Sequence, residues 1–338
     1  MNQNKNIRNR VLYMFVWLVI SMVLFLRYYE HIVIRINTTM MAFSYKYGFV
    51  SRGLIGSVYQ LLDKMVPKDL MNYLSVYHFT EVMTLLFFLI LAVFVWVVLI
   101  HTDNFYLRTV EILILFFTIF AIPMFVSQYN FGRLDLYLVM ISLIAAVLWI
   151  TKRAEWMIVP LSAVGIMIHQ GYAFMFYNII LVLLVYRILS TQGKEKKKYL
   201  AILLCSLISC ILLFFWFEVF SHINGSANYK QIVSDAKAIG FRGKFHKDVV
   251  DKEILGVDLS AREVAWHLMN LVQFPIFLIL FMPYIVMVWK FFRGCLQSVT
   301  DKKDKLNYFL LAAGVLAILP DMLFKVDFGR WVFCMICY

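Results

Sequence analysis

Three arginines with similar neighbours are the residues in this sequence best suited to chemistry. Arg52 lies between a serine and a glycine, and both Arg133 and Arg330 follow a Phe-Gly pair. Each stands at the end of an apolar stretch. A guanidinium presents a planar set of donors that matches two oxygens of a phosphate or carboxylate. Three such residues on one face of a membrane predict an anion-binding site at its surface.

Two of these arginines have a carboxylate close by in the chain. Asp135 comes two residues after Arg133, and Asp327 comes three residues before Arg330. A structural Arg–carboxylate pair is therefore an equal alternative to anion binding, and an arginine at a helix end can also extend to the lipid headgroups. The planar fork of arginine favours the anion-binding role for at least one of them.

A histidine and several acids add proton-transfer groups near the same boundary. His169 ends an apolar helix beside Gln170, and it could be catalytic, bind a ligand or simply hydrogen-bond a backbone group. Glu30, Glu81 and Glu218 could each supply an acid, although single carboxylates at helix ends are common. We therefore expect catalysis, if present, to use acid–base groups and arginines.

The motifs do not predict a metal or a cofactor. The sequence has no His-Glu-x-x-His motif, no paired Cys-x-x-Cys site and no nucleotide-binding glycine loop after a strand. The single Cys-x-x-Cys match, Cys334 to Cys337, lies in an apolar segment, where packing is the simpler interpretation.

The composition is that of an integral membrane protein. Hydrophobic residues make up 63% of the chain, charged residues only 15%, and the mean hydropathy is +0.80. These values exclude an ordinary soluble domain. The formal charge of +12 comes largely from basic residues spread over short loops, as membrane insertion requires, so nucleic acid is not an expected partner.

The elements that must position these side chains are membrane-spanning helices. Because a span needs about 20 mostly apolar residues, the sequence predicts an all-α, polytopic integral membrane helix bundle of 9–10 transmembrane helices, forming a single transmembrane domain over 1–338. The predicted spans are 11–27, 79–100, 110–126, 135–150, 156–168, 172–189, 199–220, 266–289 and 306–324, with a further helix beginning at Trp331.

The basic residues orient this bundle with its N-terminus in the cytoplasm. Sixteen of them then fall in the inner segments: Lys5, Arg8, Arg10, Arg108, Lys152, Arg153, Arg187, Lys194, Lys196, Lys197, Lys198, Lys290, Arg293, Lys302, Lys303 and Lys305. The short outer segments hold only Arg133, Lys325 and Arg330, and long loops count little in this rule. All three arginines of interest, with Asp135, Asp327 and His169, are thus predicted at the outer face.

Two outer loops are long enough to have structure of their own. Loop 28–78 contains apolar residues at helical spacing after Gly56, which predicts an interfacial or re-entrant helix. Loop 221–265 is polar and mixed in charge, which predicts an outer cap with short helices.

A many-helix membrane protein with long outer loops, outward arginines and Phe-Gly-Arg segments resembles the bacterial surface-polysaccharide polymerases of the Wzy type. More distantly, it resembles the GT-C superfamily of lipid-linked-sugar transferases. The resemblance implies that Arg52, Arg133 and Arg330 hold the diphosphate of a polyprenyl-linked glycan. An acceptor hydroxyl would attack the anomeric carbon, with His169 or Asp327 as the base and Asp135 as a further catalytic candidate.

The resemblance also implies a setting and partners. The chain would be a multi-pass protein of the bacterial cytoplasmic (inner) membrane that binds a polyprenyl-linked oligosaccharide and membrane lipids, alongside other polysaccharide-assembly proteins. A transporter or flippase of lipid-linked sugars is the main alternative. In a transporter, ionisable residues would normally lie near the midplane of the bilayer. In this sequence, the ionisable residues gather at one surface. A non-catalytic assembly subunit is a third alternative.

The predicted orientation can be tested by cysteine labelling in intact cells. Single cysteines placed in 225–260 should react with a membrane-impermeant maleimide, because this loop is predicted outside. Cysteines in 192–198 should react only after permeabilisation, since the lysine-rich segment is predicted inside. Labelling of 192–198 in intact cells would overturn the orientation.

Overall fold

Apart from turns, the described part of the chain is helical. The computed structural model describes residues 35–65, 76–101, 131–239, 247–255 and 292–316, with single residues at 15 and 19 and several between 275 and 290. The α-helices with described bounds are α1 Arg35–Met40, α2 Gly53–Met65, α3 Val76–Ile100, α4 Asp135–Thr151, α5 Ile158–Ile168, α6 Tyr172–Met175, α7 Tyr177–Ser190, α8 Gly193–Ala227, α9 Tyr229–Ile239, α10 Lys247–Leu255 and α11 Lys302–Leu316. No strand occurs among these residues, so the predicted all-α class is confirmed there.

Helices occur at each predicted span that the structure describes, with differences at the ends. The helix at the predicted span 199–220 is longer than predicted, because α8 begins at Gly193 and includes the lysine-rich segment. Lysine and glutamate are good helix formers, so this segment continues the helix. The predicted span 172–189 is broken at Phe176, where φ is −132°. Spans 11–27, 110–126 and 266–289, the end of 306–324 and the helix from Trp331 lie outside the described ranges.

Among the described residues, two helices are long and apolar enough to cross a membrane: α3, over Val76–Val98, and α8. Only 28% and 22% of the residues in their apolar windows are buried. Exposed apolar side chains include Val82, Leu85, Leu89, Leu204, Ile208, Leu212 and Phe215. Exposed apolar surface of this length fits contact with lipid rather than the core of a soluble domain.

Both helices carry an uncharged stretch of the same length. The residues between Glu81 and His101 in α3, and between Lys198 and Glu218 in α8, include no Asp, Glu, Lys, Arg or His. Each pair of flanking residues is twenty positions apart, which corresponds to about 30 Å of helix. That length equals the thickness of a hydrocarbon core, about 30 Å. Glu81 and Glu218 therefore each stand at one end of an uncharged stretch of their helix.

The chain separates into two compact units, which we describe individually. Unit 1 comprises 1–172 and 206–257, and unit 2 comprises 173–205 and 258–338. The prediction of a single transmembrane domain stays a prediction. In unit 2, α7 packs on α11, and Asn178 Nδ2 donates to the Gly314 carbonyl at 3.1 Å.

In unit 1, helix α4 packs between α3 and α5. The rings of Tyr77 and Phe131 lie 6.1 Å apart, so α3 and α4 begin at the same end. A short turn then reverses the chain into α5, which ends at that same end. Lys152 and Ala154 in this turn have φ of +56° and +47°, a left-handed conformation that lets a tight turn join the two helices.

Segment 35–52 covers the end of unit 1 at which α3 and α4 begin. Asn37 Nδ2 donates to the Phe131 carbonyl at 2.7 Å, and the Tyr45 hydroxyl donates to the Met167 carbonyl at 3.0 Å. Helix α2 then packs on α5, with apolar Leu61 and Met65 exposed. A helix thus occurs where the sequence predicted an interfacial one, and short helices α9 and α10 occupy the second loop.

Gly56 is the position where this packing leaves no room for a side chain. A Cβ there would lie 2.0 Å from the Phe43 carbonyl oxygen and 2.7 Å from the Met41 carbonyl oxygen. Backbone atoms cannot move aside easily, so Gly56→Ala should lower the unfolding free energy by about 1–3 kcal/mol. Thermal unfolding in detergent would measure the loss. Gly294→Ala is the matched control, because nothing lies within 4 Å of its Cβ position. Equal melting temperatures for the two variants would contradict the packing described.

Candidate functional site at the arginine end

Arg52 occupies a strained backbone position immediately before α2. Its φ is +63°, in the left-handed region that costs a non-glycine residue about 1–2 kcal/mol. The side chain is half-buried, and Nη1 lies 3.9 Å from the Met40 sulfur. The N-terminus of α2 carries backbone N–H groups and a partial positive charge next to this arginine. The local charge therefore favours an anion.

Ser51 holds Arg52 in place through two hydrogen bonds to distant segments. Its backbone N–H donates to Ser221 Oγ at 2.7 Å, and its own hydroxyl donates to Gln170 Oε1 at 2.8 Å. Ser51 and Ser221 are only 6% and 2% exposed, so both bonds are protected from water. Gln170 Nε2 in turn donates to Glu218 Oε1 at 3.0 Å. This chain connects the start of α2 with the ends of α5 and α8.

His169 makes a hydrogen bond that defines its tautomer. The Gly171 backbone N–H donates to His169 Nδ1 at 2.8 Å. The lone pair of Nδ1 is thus in use, and in the neutral ring the hydrogen lies on Nε2. Such a histidine can donate a hydrogen bond to an anion, whereas accepting a proton would require a change of tautomer. The general-base role stays a prediction, and this geometry fits a donor better.

Arg133 and Asp135 stand at the start of α4. Gly132 has φ of +85°, which turns the chain into the helix, and Asp135 is its first residue. The Asp135 side chain is buried, whereas Arg133 is half-buried. A carboxylate in the first turn interacts favourably with the helix dipole. The geometry therefore supports a structural role for Asp135 and leaves Arg133 as the more accessible group.

The structure places these predicted residues at one end of unit 1. We call it the arginine end, defined by the segments 35–52, 131–135, 167–171 and 216–221. The Ser51–Gln170 bond joins the segments of Arg52 and His169, and the Asn37–Phe131 bond ties the segment of Arg133 to the same loop. Asp327 and Arg330 lie outside the described residues.

An aromatic cluster packs the loop onto α8 at the arginine end. The ring of Phe49 lies 5.9 Å from Trp216 and 6.1 Å from Phe217, and Tyr45 stacks on Phe217 at 6.3 Å. Trp216 also contacts Phe220 at 4.3 Å. Phe49 and Trp216 are 42% and 46% exposed, so part of the cluster faces outward. Such rings suit either a sugar face or the membrane interface.

A charged contact fixes the same loop to α9. The Lys46 ammonium and the Tyr47 hydroxyl both donate to Asp235 Oδ2, and Gln231 Nε2 donates to Asp235 Oδ1 at 3.2 Å. Burial alone would raise the pKa of Asp235, but the hydrogen bonds from Lys46 and Tyr47 and the lysine charge outweigh it and lower that pKa. Burial and the bond to Asp235 raise the pKa of Tyr47.

Three polar residues of this site were not singled out from the sequence. Ser51, Gln170 and Ser221 are small or neutral side chains whose importance comes from partners 119 and 170 residues away. In the sequence, each of them is only a polar residue next to the end of an apolar helix. That pattern is too frequent to identify a functional site. Glu218 was considered as an acid, but its partner Gln170 was not foreseen.

Among the described residues, no group of three or more His, Cys, Asp or Glu side chains could hold a metal ion. The chain matches no family model, no curated protein and no solved structure. The function is therefore argued from the site itself.

The Asp235 contact should make the stability of this end sensitive to acid. A carboxylate whose pKa is lowered on folding stabilises the fold above its ordinary pKa of 3.8, and the contribution is lost as the pH falls through the lowered value. We expect Asp235→Asn to lower the melting temperature at about pH 7 and the difference from wild type to narrow as the pH falls below 3.8. Thermal unfolding across this range would measure it. Asp63→Asn, an exposed carboxylate on α2, is the control and should show no such convergence.

Proposed function

We propose that the protein is a membrane-embedded glycosyltransferase that acts on polyprenyl-diphosphate-linked glycans in surface-polysaccharide assembly. The observation that carries this proposal is the convergence of Arg52, Arg133 and His169 segments at one end of unit 1. Glu218 marks the boundary of the apolar layer at that end. An anion site at this level suits a substrate with a charged headgroup and a hydrocarbon tail.

The membrane placement follows from helix length and exposed apolar surface. Helices α3 and α8 have the length and composition of spans, and both keep their apolar side chains exposed. By the positive-inside rule, the lysine-rich start of α8 faces the cytoplasm and the arginine end faces outward. We propose a polytopic bundle in the bacterial inner membrane with a cytoplasmic N-terminus.

The anion is best assigned to a phosphate group of the donor lipid. At the outer face no nucleotide sugar is available, so a transferase needs a sugar donor carried by a lipid. Arg52 and Arg133, with Arg330 by sequence, would bind the diphosphate oxygens. His169, with its hydrogen on Nε2, adds a neutral donor to the same group.

The reaction would be a substitution at the anomeric carbon of the donor glycan. An acceptor sugar hydroxyl loses its proton to a base and forms the new C–O bond. The bond from the anomeric carbon to the diphosphate breaks, and its electron pair leaves with the diphosphate oxygen. Arginines and the histidine donor stabilise that developing charge. The sequence offers His169 or Asp327 as the base.

Charge-conserving substitutions test the arginine roles. Arg52→Lys and Arg133→Lys keep the positive charge but lose the two-pronged donor geometry. Purified protein in liposomes, without any flippase, should lengthen lipid-linked oligosaccharides presented on the outer leaflet. Each variant should reduce that rate by about tenfold or more, which is less than the roughly 100-fold to 1,000-fold cost of removing an oxyanion donor because the charge is kept. Arg153→Lys, an exposed arginine in the turn between α4 and α5, is the matched control.

Three outcomes would contradict this proposal in different ways. If both variants lengthen glycans at the wild-type rate, these arginines do not bind the diphosphate. If wild-type protein moves labelled lipid-linked sugar across the bilayer without changing its length, the flippase alternative replaces the transferase. A protein that does neither would be an assembly subunit.

A further inference from the structure

Glu218 is an exposed carboxylate at the edge of the apolar layer. It is the first ionisable residue of α8 after the nineteen uncharged residues that follow Lys198. Its side chain is accessible, yet Oε1 accepts a hydrogen bond from Gln170 Nε2 at 3.0 Å. A carboxylate at the end of an uncharged stretch that is also held by a residue far away in the chain is a candidate for a functional role.

The partners of Glu218 are themselves fixed. The Ser51 hydroxyl donates to Gln170 Oε1, which leaves the amide NH2 group of Gln170 to face Glu218. Ser51 is held in turn by its N–H bond to Ser221, one helical turn beyond Glu218 on α8. Because the amide presents a donor, the carboxylate is held as an acceptor. Its remaining lone pairs stay on an exposed side chain.

The comparison with His169 favours Glu218 as a proton acceptor. His169 precedes Gln170 in the chain, and its Nδ1 lone pair is already used by the Gly171 N–H. A neutral histidine in this tautomer offers a hydrogen through Nε2, whereas a carboxylate offers lone pairs. The two side chains therefore have complementary capacities: His169 donates and Glu218 accepts.

We propose that Glu218 is the general base of the transfer reaction and that Gln170 is its positioning residue. This inference rests on the transferase function proposed above. The acceptor hydroxyl gives its proton to the Glu218 carboxylate as its oxygen bonds to the anomeric carbon. The bond to the diphosphate breaks, and the electron pair leaves on the diphosphate oxygen at the arginines. The protonated carboxyl then releases its proton to water.

The decisive variant is Glu218→Gln, which keeps the shape and removes the base. In the liposome elongation assay, kcat should fall by roughly a hundredfold while the KM for the lipid-linked substrate changes little. Glu195→Gln is the matched control, because Glu195 is an exposed glutamate in the lysine-rich start of the same helix. It should keep wild-type kcat. Formate added to Glu218→Ala should restore part of the rate by supplying a carboxylate.

Gln170→Leu tests the positioning role. It should lower kcat, because the carboxylate loses its alignment, and any rise in KM would report the lost Ser51–Gln170 bond beside Arg52. In the double variant with Glu218→Gln, the change at Gln170 should cause almost no further loss, since both act through one carboxylate. If the two changes caused independent structural defects, their losses in kcat would instead multiply.

The outcomes separate this inference from the proposed function. If wild-type protein fails to lengthen glycans, the transferase proposal is wrong and the role of Glu218 with it. If wild type is active and Glu218→Gln matches Glu195→Gln, the transferase stands and Glu218 is not the base. A hundredfold loss in His169→Gln together with a fully active Glu218→Gln would assign the base to His169 instead.

Discussion

The cost of placing a charge in hydrocarbon is the constraint on which the rest of this molecule depends. A helix can cross the apolar layer only where about 20 residues carry no charge. Helices α3 and α8 meet this condition over stretches of equal length, each with a glutamate at one end. In these two helices, charged groups are thereby confined to the ends of the uncharged stretch. Chemistry that needs charge must be assembled at one of them.

At the arginine end, that assembly depends on a loop held by buried hydrogen bonds. Segment 35–52 meets α4 through Asn37, α5 through Tyr45 and α8 through Ser51. Where water is excluded, such bonds are hard to replace, because an unpaired buried donor costs about 1–3 kcal/mol. They can therefore support the left-handed backbone of Arg52. The strain lies in the backbone of Arg52, and the contacts around it hold the backbone in that conformation.

At the arginine end, the groups suited to binding negative charge differ from the group suited to accepting a proton. Arg52 and Arg133 have permanent cations, and His169 in its described tautomer adds a neutral donor. Glu218, held by Gln170, supplies acceptor capacity on the same end. A substitution that releases a phosphate and consumes a hydroxyl proton needs both functions, each with its own groups.

The sequence by itself determined the helical class and the apolar stretches, and it predicted that the arginines gather at one face. These depend on hydropathy and charge counted along the chain, which are local properties. Only the tertiary structure decided that Ser51 bonds both Ser221 and Gln170, that Gln170 presents its amide to Glu218, and that His169 Nδ1 is in use. Each of these results depends on the relative position of segments far apart in the chain. A polar side chain has the same local pattern whether its partner is water or a buried serine, so sequence reasoning could not assign those roles.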